Sequence, residues 1–218
     1  MHKENANFSR GWHEYKNGWG DPKGTEYWVG LEQIHQFTSR SSWALNITLV
    51  NENGIKENLT YNTFSVNNEA SQYGLNIGGF ENYNMKELDD RFGSHNGKPF
   101  STSDADNDGC SGSCASTYDG AGWWHKCCCA GTSCSYYSCW CNRYDCCYDT
   151  ILNYRQEDLD VKTKQTLNGI QWNAGTHYKA SEMTIKPTGK LLYLIYYMKT
   201  FMIIKIQLMW EEINYFPK

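Results

Sequence analysis

Asp104, Asp106 and Asp108 stand at alternate positions of the stretch 104–114, DADNDGCSGSC, and Gly109 follows the last of them. Alternate side chains in a tight loop can converge on one point, and the intervening backbone carbonyls add further oxygens. That donor set suits a hard cation, and Ca²⁺ takes about six to eight oxygen ligands. Three like charges this close repel one another unless a cation lies among them. The opening matches an EF-hand loop, but the twelfth position is Ala115 instead of Glu, so the spacing points to a calcium loop of another kind. A solvated acidic turn, with Asp and Asn bonded to their own backbone, is the plainer alternative.

The other reactive side chains are sulfurs. Eight of the 10 Cys fall between 127 and 147. Zinc is a poor fit, because no C-x-x-C occurs and adjacent Cys pairs chelate one tetrahedral ion badly. Disulfides are a second use of such a cluster, but the abrupt change in composition over 128–167 is read first as sequence foreign to the domain, such as translated intron. The six His, at 2, 13, 35, 95, 125 and 177, show no ligand spacing, and His35 and His95 are expected to be structural. His125 among many thiols is the one arrangement with nucleophilic potential. There is no G-x-S-x-G, H-E-x-x-H, Walker or G-x-G-x-x-G pattern, so an enzyme is not expected.

Several elements must position these groups. Ser9 suits the cap of a short helix over 9–20, with Trp12 and Tyr15 one turn apart and Gly18 as its stop. A second helix fits Leu31–Ser39, with Leu31, Ile34 and Thr38 on one side. The period then changes to two. Trp43, Leu45, Ile47 and Leu49 alternate with Ala44, Asn46, Thr48 and Val50, the pattern of a half-buried strand. Asn53-Gly54 signals a two-residue hairpin into a strand through Leu59, Tyr61 and Thr63. Tyr73, Leu75 and Ile77 make a third run, closed by Gly78-Gly79. The stretch Asn82–Cys127 reads as loop with a short helical piece near Met85–Phe92. The predicted fold is α+β: a small twisted antiparallel sheet with short flanking helices and a loop-rich subdomain around the acidic stretch. Trp123 and Trp124 are expected in the core.

Composition narrows the function. The protein has 218 residues and a net charge of −4, so no basic surplus exists to neutralise nucleic-acid phosphates. Many Cys and the sequons at Asn7, Asn46 and Asn58 point to a secreted, extracellular glycoprotein. Asn46 falls on the face opposite the apolar set, where a glycan fits. Met1–Arg10 holds no apolar run of the signal-peptide kind. Leu191–Trp210 is apolar, but Lys199 and Lys205 interrupt it. A central Lys costs roughly 2.5–3.5 kcal/mol on insertion scales, so a membrane span is not expected.

Ordered blocks then carry a resemblance. The run Phe8-Ser9-Arg10-x-Trp12-x-Glu14-Tyr15-Lys16-Asn17-Gly18-x-Gly20-Asp21-Pro22 is similar to the opening of the globular part of fibrinogen C-terminal domains. Glu26-Tyr27-Trp28-Val29-Gly30-Leu31-Glu32-x-Ile34-His35 resembles that family's E-Y-W-L-G-L-E-x-I-H, and His95-Asn96-Gly97-Lys98-Pro99-Phe100-Ser101-Thr102 its H-N-G-x-x-F-S-T. Asp106-Asn107-Asp108, Cys114-Ala115 and Gly122-Trp123-Trp124-His125-Lys126-Cys127 resemble its D-N-D, N-C-A and G-W-W-x-x-C. Asn168-Gly169-Ile170-Gln171-Trp172 and Glu182-Met183-Thr184-Ile185-Lys186-Pro187 resemble its closing blocks. After Cys127 the family pattern continues C-H-x-x-N-L-N-G-x-Y, whereas here Cys128-Cys129 and a Cys-rich run follow. The domain reading is therefore 1–189, a family-like domain opening at the equivalent of the middle sheet, with a divergent insert at 128–167, and 190–218 as a hydrophobic tail outside the family.

The resemblance implies an extracellular recognition module that binds without chemistry. Carried over by position, Asp106 and Asp108 supply carboxylates to Ca²⁺, and Cys110 and Gly112 supply backbone carbonyls; Asp104 lies one step outside. Cys114–Cys127 is the implied bridge. Tyr118, Lys126 and Cys127 line the implied ligand pocket, with a cis Lys126–Cys127 peptide aiming the Cys127 N–H into it. The expected ligands are acetylated glycans or other acetyl groups, as in ficolin-like and tachylectin-like innate-immune lectins. A protein ligand of the angiopoietin or tenascin kind is the alternative. Such small sites are weak singly, so the full-length protein is expected to be a homo-oligomer. A truncated product that does not fold stably is the third expectation, because a missing strand exposes a sheet edge.

Overall fold

The computed structural model describes residues 2–3, 7–24, 26–82, 88–110, 112–117, 121–126, 147, 150–153, 170–173 and 176–189. Their elements run β1 (His2–Lys3), α1 (Trp12–Asn17), β2 (Trp19–Gly20), β3 (Tyr27–Trp28), α2 (Leu31–Thr38), β4 (Trp43–Val50), β5 (Lys56–Val66) and β6 (Leu75–Glu81). A short α3 (Cys114–Thr117), the hairpin β7 (Ile170–Asn173) and β8 (Thr176–Tyr178), and β9 (Ala180–Pro187) follow. Helix α2 buries Leu31, Ile34 and Thr38, the side the sequence marks.

The main sheet is antiparallel with order β1-β9-β4-β5-β6. Strand β9 returns from the far end of the domain to lie beside β4, in register from Trp43↔Pro187 to Val50↔Ala180. The period-two reading of β4 holds: Leu45, Ile47 and Leu49 are buried, as are Leu59 and Tyr61 of β5. Burying one such side chain stabilises by roughly 1.5–3 kcal/mol. This face packs on a second layer of aromatic rings, in which Tyr15, Trp28, Phe92, Phe100, Trp123 and Trp124 are interleaved in one cluster.

The turns differ from the sequence reading in three places. Asn51, not Asn53-Gly54, organises the β4–β5 loop: its Oδ1 accepts the N–H groups of Asn53 and Ile55, both at 3.0 Å. Tyr73 sits in the turn before β6 at φ 49 instead of within the strand. Gly78-Gly79 does not close β6, which runs on to Glu81. Ile77 and Phe80 both reach the core side, a spacing that breaks period two. Gly79 absorbs the break at φ +67, where a Cβ would meet Asn62 Cβ at 3.0 Å. In the loop after β6, Met85 lies outside the described residues, and the helical piece observed is a 3₁₀ turn over Phe92–His95.

Helix α1 is shorter than its predicted span and is not capped by Ser9, which makes an isolated bridge to Ala121. Gly11 is the N-cap, and Glu14 Oε2 accepts its N–H at 3.2 Å. Gly18 ends the helix as expected, donating its N–H to Glu14 O at 2.7 Å.

Candidate functional site

The acidic stretch is a turn between the Phe100–Thr102 segment and α3. Ser101 and Trp123 exchange both backbone hydrogen bonds at 3.0 Å, which ties the turn to the tryptophan pair. Asn107 anchors its middle. Asn107 N–H donates to Ser101 Oγ at 3.0 Å, its Nδ2 donates to Phe100 O at 2.9 Å, and its Oδ1 accepts from Gln72 Nε2 at 3.1 Å.

The three carboxylates do different work. Asp104 reaches across the molecule: Trp12 N–H donates to its Oδ1 and Oδ2 at 2.9 and 3.2 Å, and Thr102 Oγ1 donates at 2.6 Å. It completes the N-terminus of α1 that Glu14 begins. Gly11 is needed there, since a Cβ would lie 2.7 Å from Asp104 Oδ2. The hydrogen bond from Thr102, and then that from Trp12, hold the Asp104 carboxyl below its ordinary range. Asp104 is thus spent on structure, at the end of α1. Asp108 is 5% exposed, and its two oxygens accept the N–H groups of Cys110 and Cys114, both at 2.8 Å. Asp106 is exposed and, among the described residues, accepts only a long bond, 3.4 Å, from Asp108 N–H.

Among the described residues the ion pairs are Arg10–Glu14, Arg10–Glu26, Lys16–Glu69 and Arg91–Asp89, so neither Asp106 nor Asp108 has a cationic side-chain partner. Two carboxylates on one turn, with the carbonyls of Cys110 and Gly112 close by in sequence, make an all-oxygen set of the kind Ca²⁺ takes. These residues fit such an ion.

The sulfur bridge is not the one implied by resemblance. Cys114 is joined to Cys147, with S–S 2.01 Å and Cα atoms 5.7 Å apart, in place of Cys127. The reason lies in the backbone on either side of residues 127–146. Lys126 N–H donates to Cys147 O at 2.9 Å, so the segment leaving Trp124 meets Cys147 directly. Cys147 and Leu152-Asn153 then supply the C-x-x-x-x-L-N spacing that the family pattern places after its tryptophans. Thr150, Ile151, Leu152 and Asn153, inside the stretch the sequence sets apart as 128–167, are buried core residues. The Cys110, Cys114 and Cys147 sulfurs lie within 4.8 Å of one another, but two of them are spent on the bridge, which removes them as zinc thiolates.

Two buried histidines frame this joint. Thr150 N–H donates to His95 Nε2 at 3.3 Å, so the proton is on Nδ1, which donates to Trp124 O at 2.7 Å. His95 is structural, as expected. His125 is fully buried with Nε2 3.4 Å from Ala121 O, and burial pushes its pKa down to about 4. Tyr15 OH gathers the same region: it donates to Phe8 O at 2.8 Å and accepts from Gly122 N–H and Asn153 Nδ2, each at 3.0 Å. Burial raises its pKa far above the ordinary range.

Of the implied pocket residues, Tyr118 and Cys127, with the cis peptide before it, lie outside the described residues; the Lys126 N–H is used on Cys147. Asn7 and Asn58 are exposed and Asn46 is half-buried. The apolar tail 190–218 lies outside the described residues, and among those described no helix is long and apolar enough to cross a membrane.

Residues 2–190 match the family model described as fibrinogen beta and gamma chains, C-terminal globular domain. Angiopoietin-related protein 6 of Mus musculus is 41% identical over 122 residues, which is 56% of this protein and 26% of that one; the sequence thus spans about a quarter of that relative. The solved fibrinogen-like globe domain of human ANGPTL2 superposes with a TM-score of 0.67 at 29% identity, covering 86% of this protein and 77% of that one. A lamprey fibrin D-dimer, complexed with the peptide ligand Gly-His-Arg-Pro-amide, gives a TM-score of 0.62 at 27% identity over 87% of this protein and 60% of that one.

Proposed function

The protein belongs to the family of C-terminal globular domains of the fibrinogen beta and gamma subunits, binding modules without catalytic chemistry, and from that premise we propose that it is an extracellular, calcium-supported recognition domain for a protein or peptide ligand. The observation that carries the reading is the division of labour in the acidic turn. Asp108 is buried and collects two backbone N–H groups, Asp106 is exposed with no cationic side-chain partner among the described residues, and Asp104 is removed to a helix end. In this reading Asp106, Asp108 and the carbonyls of Cys110 and Gly112 hold Ca²⁺, which contributes charge neutralisation and rigidity beside the bridge. The protein-ligand arm is supported by the peptide held in the lamprey relative. The acetyl-group arm depends on Tyr118 and Cys127, outside the described residues, and serves as the comparison arm of the test.

Thermal melts with Ca²⁺ and with chelator test the ion. A ligand at about 100 times its Kd stabilises by about 2.7 kcal/mol, so the melt rises with Ca²⁺ and falls with chelator. Asp106→Ala and Asp108→Asn abolish the rise. A melt indifferent to Ca²⁺ sinks the calcium reading. Chelator-sensitive retention on immobilised extracellular peptides, with none on acetylated resin, supports the peptide arm; the reverse pattern overturns it in favour of acetyl groups.

A further inference from the structure

The outer face of the sheet, turned away from the aromatic layer and the acidic turn, carries two glycosylation sequons in mutual contact. Asn46-Ile47-Thr48 on β4 and Asn58-Leu59-Thr60 on β5 are paired end to end: Asn46↔Thr60, Ile47↔Leu59, Thr48↔Asn58. Ile47 and Leu59 are both 0% exposed on the inner face, so all four polar side chains stand on the outer one. Each threonine bonds to the other sequon's asparagine. Thr48 Oγ1 donates to Asn58 Oδ1 at 2.8 Å, and Thr60 Oγ1 donates to Asn46 Oδ1 at 3.2 Å.

The two asparagines are not equivalent. Asn46 lies on the middle strand, half-buried between Thr60 of β5 and Thr184 of β9. Asn58 is exposed, and it sits where β5 has run past the end of β6, whose last partner is Thr60↔Glu81. Both bonds end on Oδ1, whereas an oligosaccharide is joined through Nδ2, so the contact between the threonines and asparagines survives modification. As diagonal neighbours the two asparagines are about 7–8 Å apart, so two branched oligosaccharides would leave from one patch.

We propose that the paired sequons act as a single acceptor: Asn58 carries an N-linked oligosaccharide and Asn46 stays bare in the folded protein. The inference rests on the extracellular reading above. An oligosaccharide on Asn58 leaves from the margin where β5 has no β6 neighbour, whereas one on Asn46 would have to leave from between two paired strands. The sugar then covers the sheet's outer face and leaves the acidic turn open to a partner.

The test expresses the full-length protein behind a cleavable secretory leader, so that delivery to the glycosylation machinery does not depend on its own route. Each asparagine is read by mass spectrometry of peptides deglycosylated in heavy-oxygen water. The expected result is label at Asn58 and none at Asn46, with the Asn58 label lost in Thr60→Ala and kept in Thr48→Ala. Reading the cell-retained pool as well as the secreted one keeps the result valid if a variant folds poorly. A bare Asn58, or label on both asparagines of the same molecule, overturns the proposal; either outcome leaves the calcium and ligand tests above untouched.

Discussion

The sheet and the turn-rich layer beside it are held together by different physics. In β4, β5, β6 and β9, alternating apolar side chains meet a shared core, and backbone ladders do the rest. In the layer made by the described residues of 92–126, with 147 and 150–153, few of those residues belong to regular elements. There the backbone is fixed by Asp104, Asn107, Asp108 and His95 reaching its polar groups, and by one sulfur bridge. Under the proposed function this layer would hold an ion and meet a partner, which requires polar groups that a paired ladder keeps for itself. Its order therefore depends on charge, proton and redox state more than the sheet's does, although the sheet too buries the Glu57 carboxylate, which accepts from Tyr178 OH at 2.7 Å.

The largest way to break that contrast is to remove the bridge. Closing a loop with a sequence separation of 33 contributes about 4 kcal/mol in the chain-entropy account. Cys114→Ser with Cys147→Ser should lower stability by that order. Hydrogen exchange should rise first in 100–126 and 150–153, while β4 and β5 stay protected. Equal loosening of both layers would contradict the division. The counterpart in the sheet is Ile47→Ala, expected to cost about 3–4 kcal/mol through lost burial and the cavity left behind. Its effect should be a global shift in the denaturant midpoint that neither reductant nor pH modifies.

His125 gives a pH-dependent handle on the turn-rich layer alone. Its pKa is 6.5 in the unfolded state and about 4 in the folded one, because burial disfavours the charged ring. The unfolded state binds the extra proton between these values, so stability is full above about pH 6.5, falls as pH drops toward 4, and levels off below. At about 1.4 kcal/mol per pH unit the loss is about 3 kcal/mol. Chemical denaturation across pH 4–7 reads it, and His125→Gln should flatten the slope. A slope that persists in the variant assigns it to other groups.

The same contrast governs what was legible in the sequence. Strand β4 could be read from its alternation because burial acts on residues two apart, and the acidic turn from the spacing of its carboxylates. The bridge could not. Residues 127–146 intervene where the family pattern is continuous, and eight cysteines offered Cys114 many partners; the usable signal was Leu152-Asn153 after Cys147. The role of Asp104 was out of reach because its partner, Trp12, is 92 residues away in sequence. The break at Gly79 follows from packing of Ile77 and Phe80, which alternation alone does not encode.

The smallest expected effect separates the carboxylates of the acidic turn most sharply. Asp104→Ala removes the acceptor for Trp12 N–H, and losing a helix N-terminal acceptor costs about 1 kcal/mol. Because the Asp104 pKa is lowered in the folded protein, its contribution is present above the ordinary aspartate range and lost as pH falls below it. The stability difference between the parent and Asp104→Ala should therefore shrink in acid. Calcium should raise the melting temperature of Asp104→Ala by as much as it raises the parent's, since this carboxylate is already committed to α1. In Asp106→Ala the order reverses: little change without Ca²⁺, because Asp106 makes one long bond among the described residues, and no rise with it. If Asp104→Ala loses the response to Ca²⁺ along with Asp106→Ala, the turn acts as one acidic cluster and the assignment of its members to separate tasks fails.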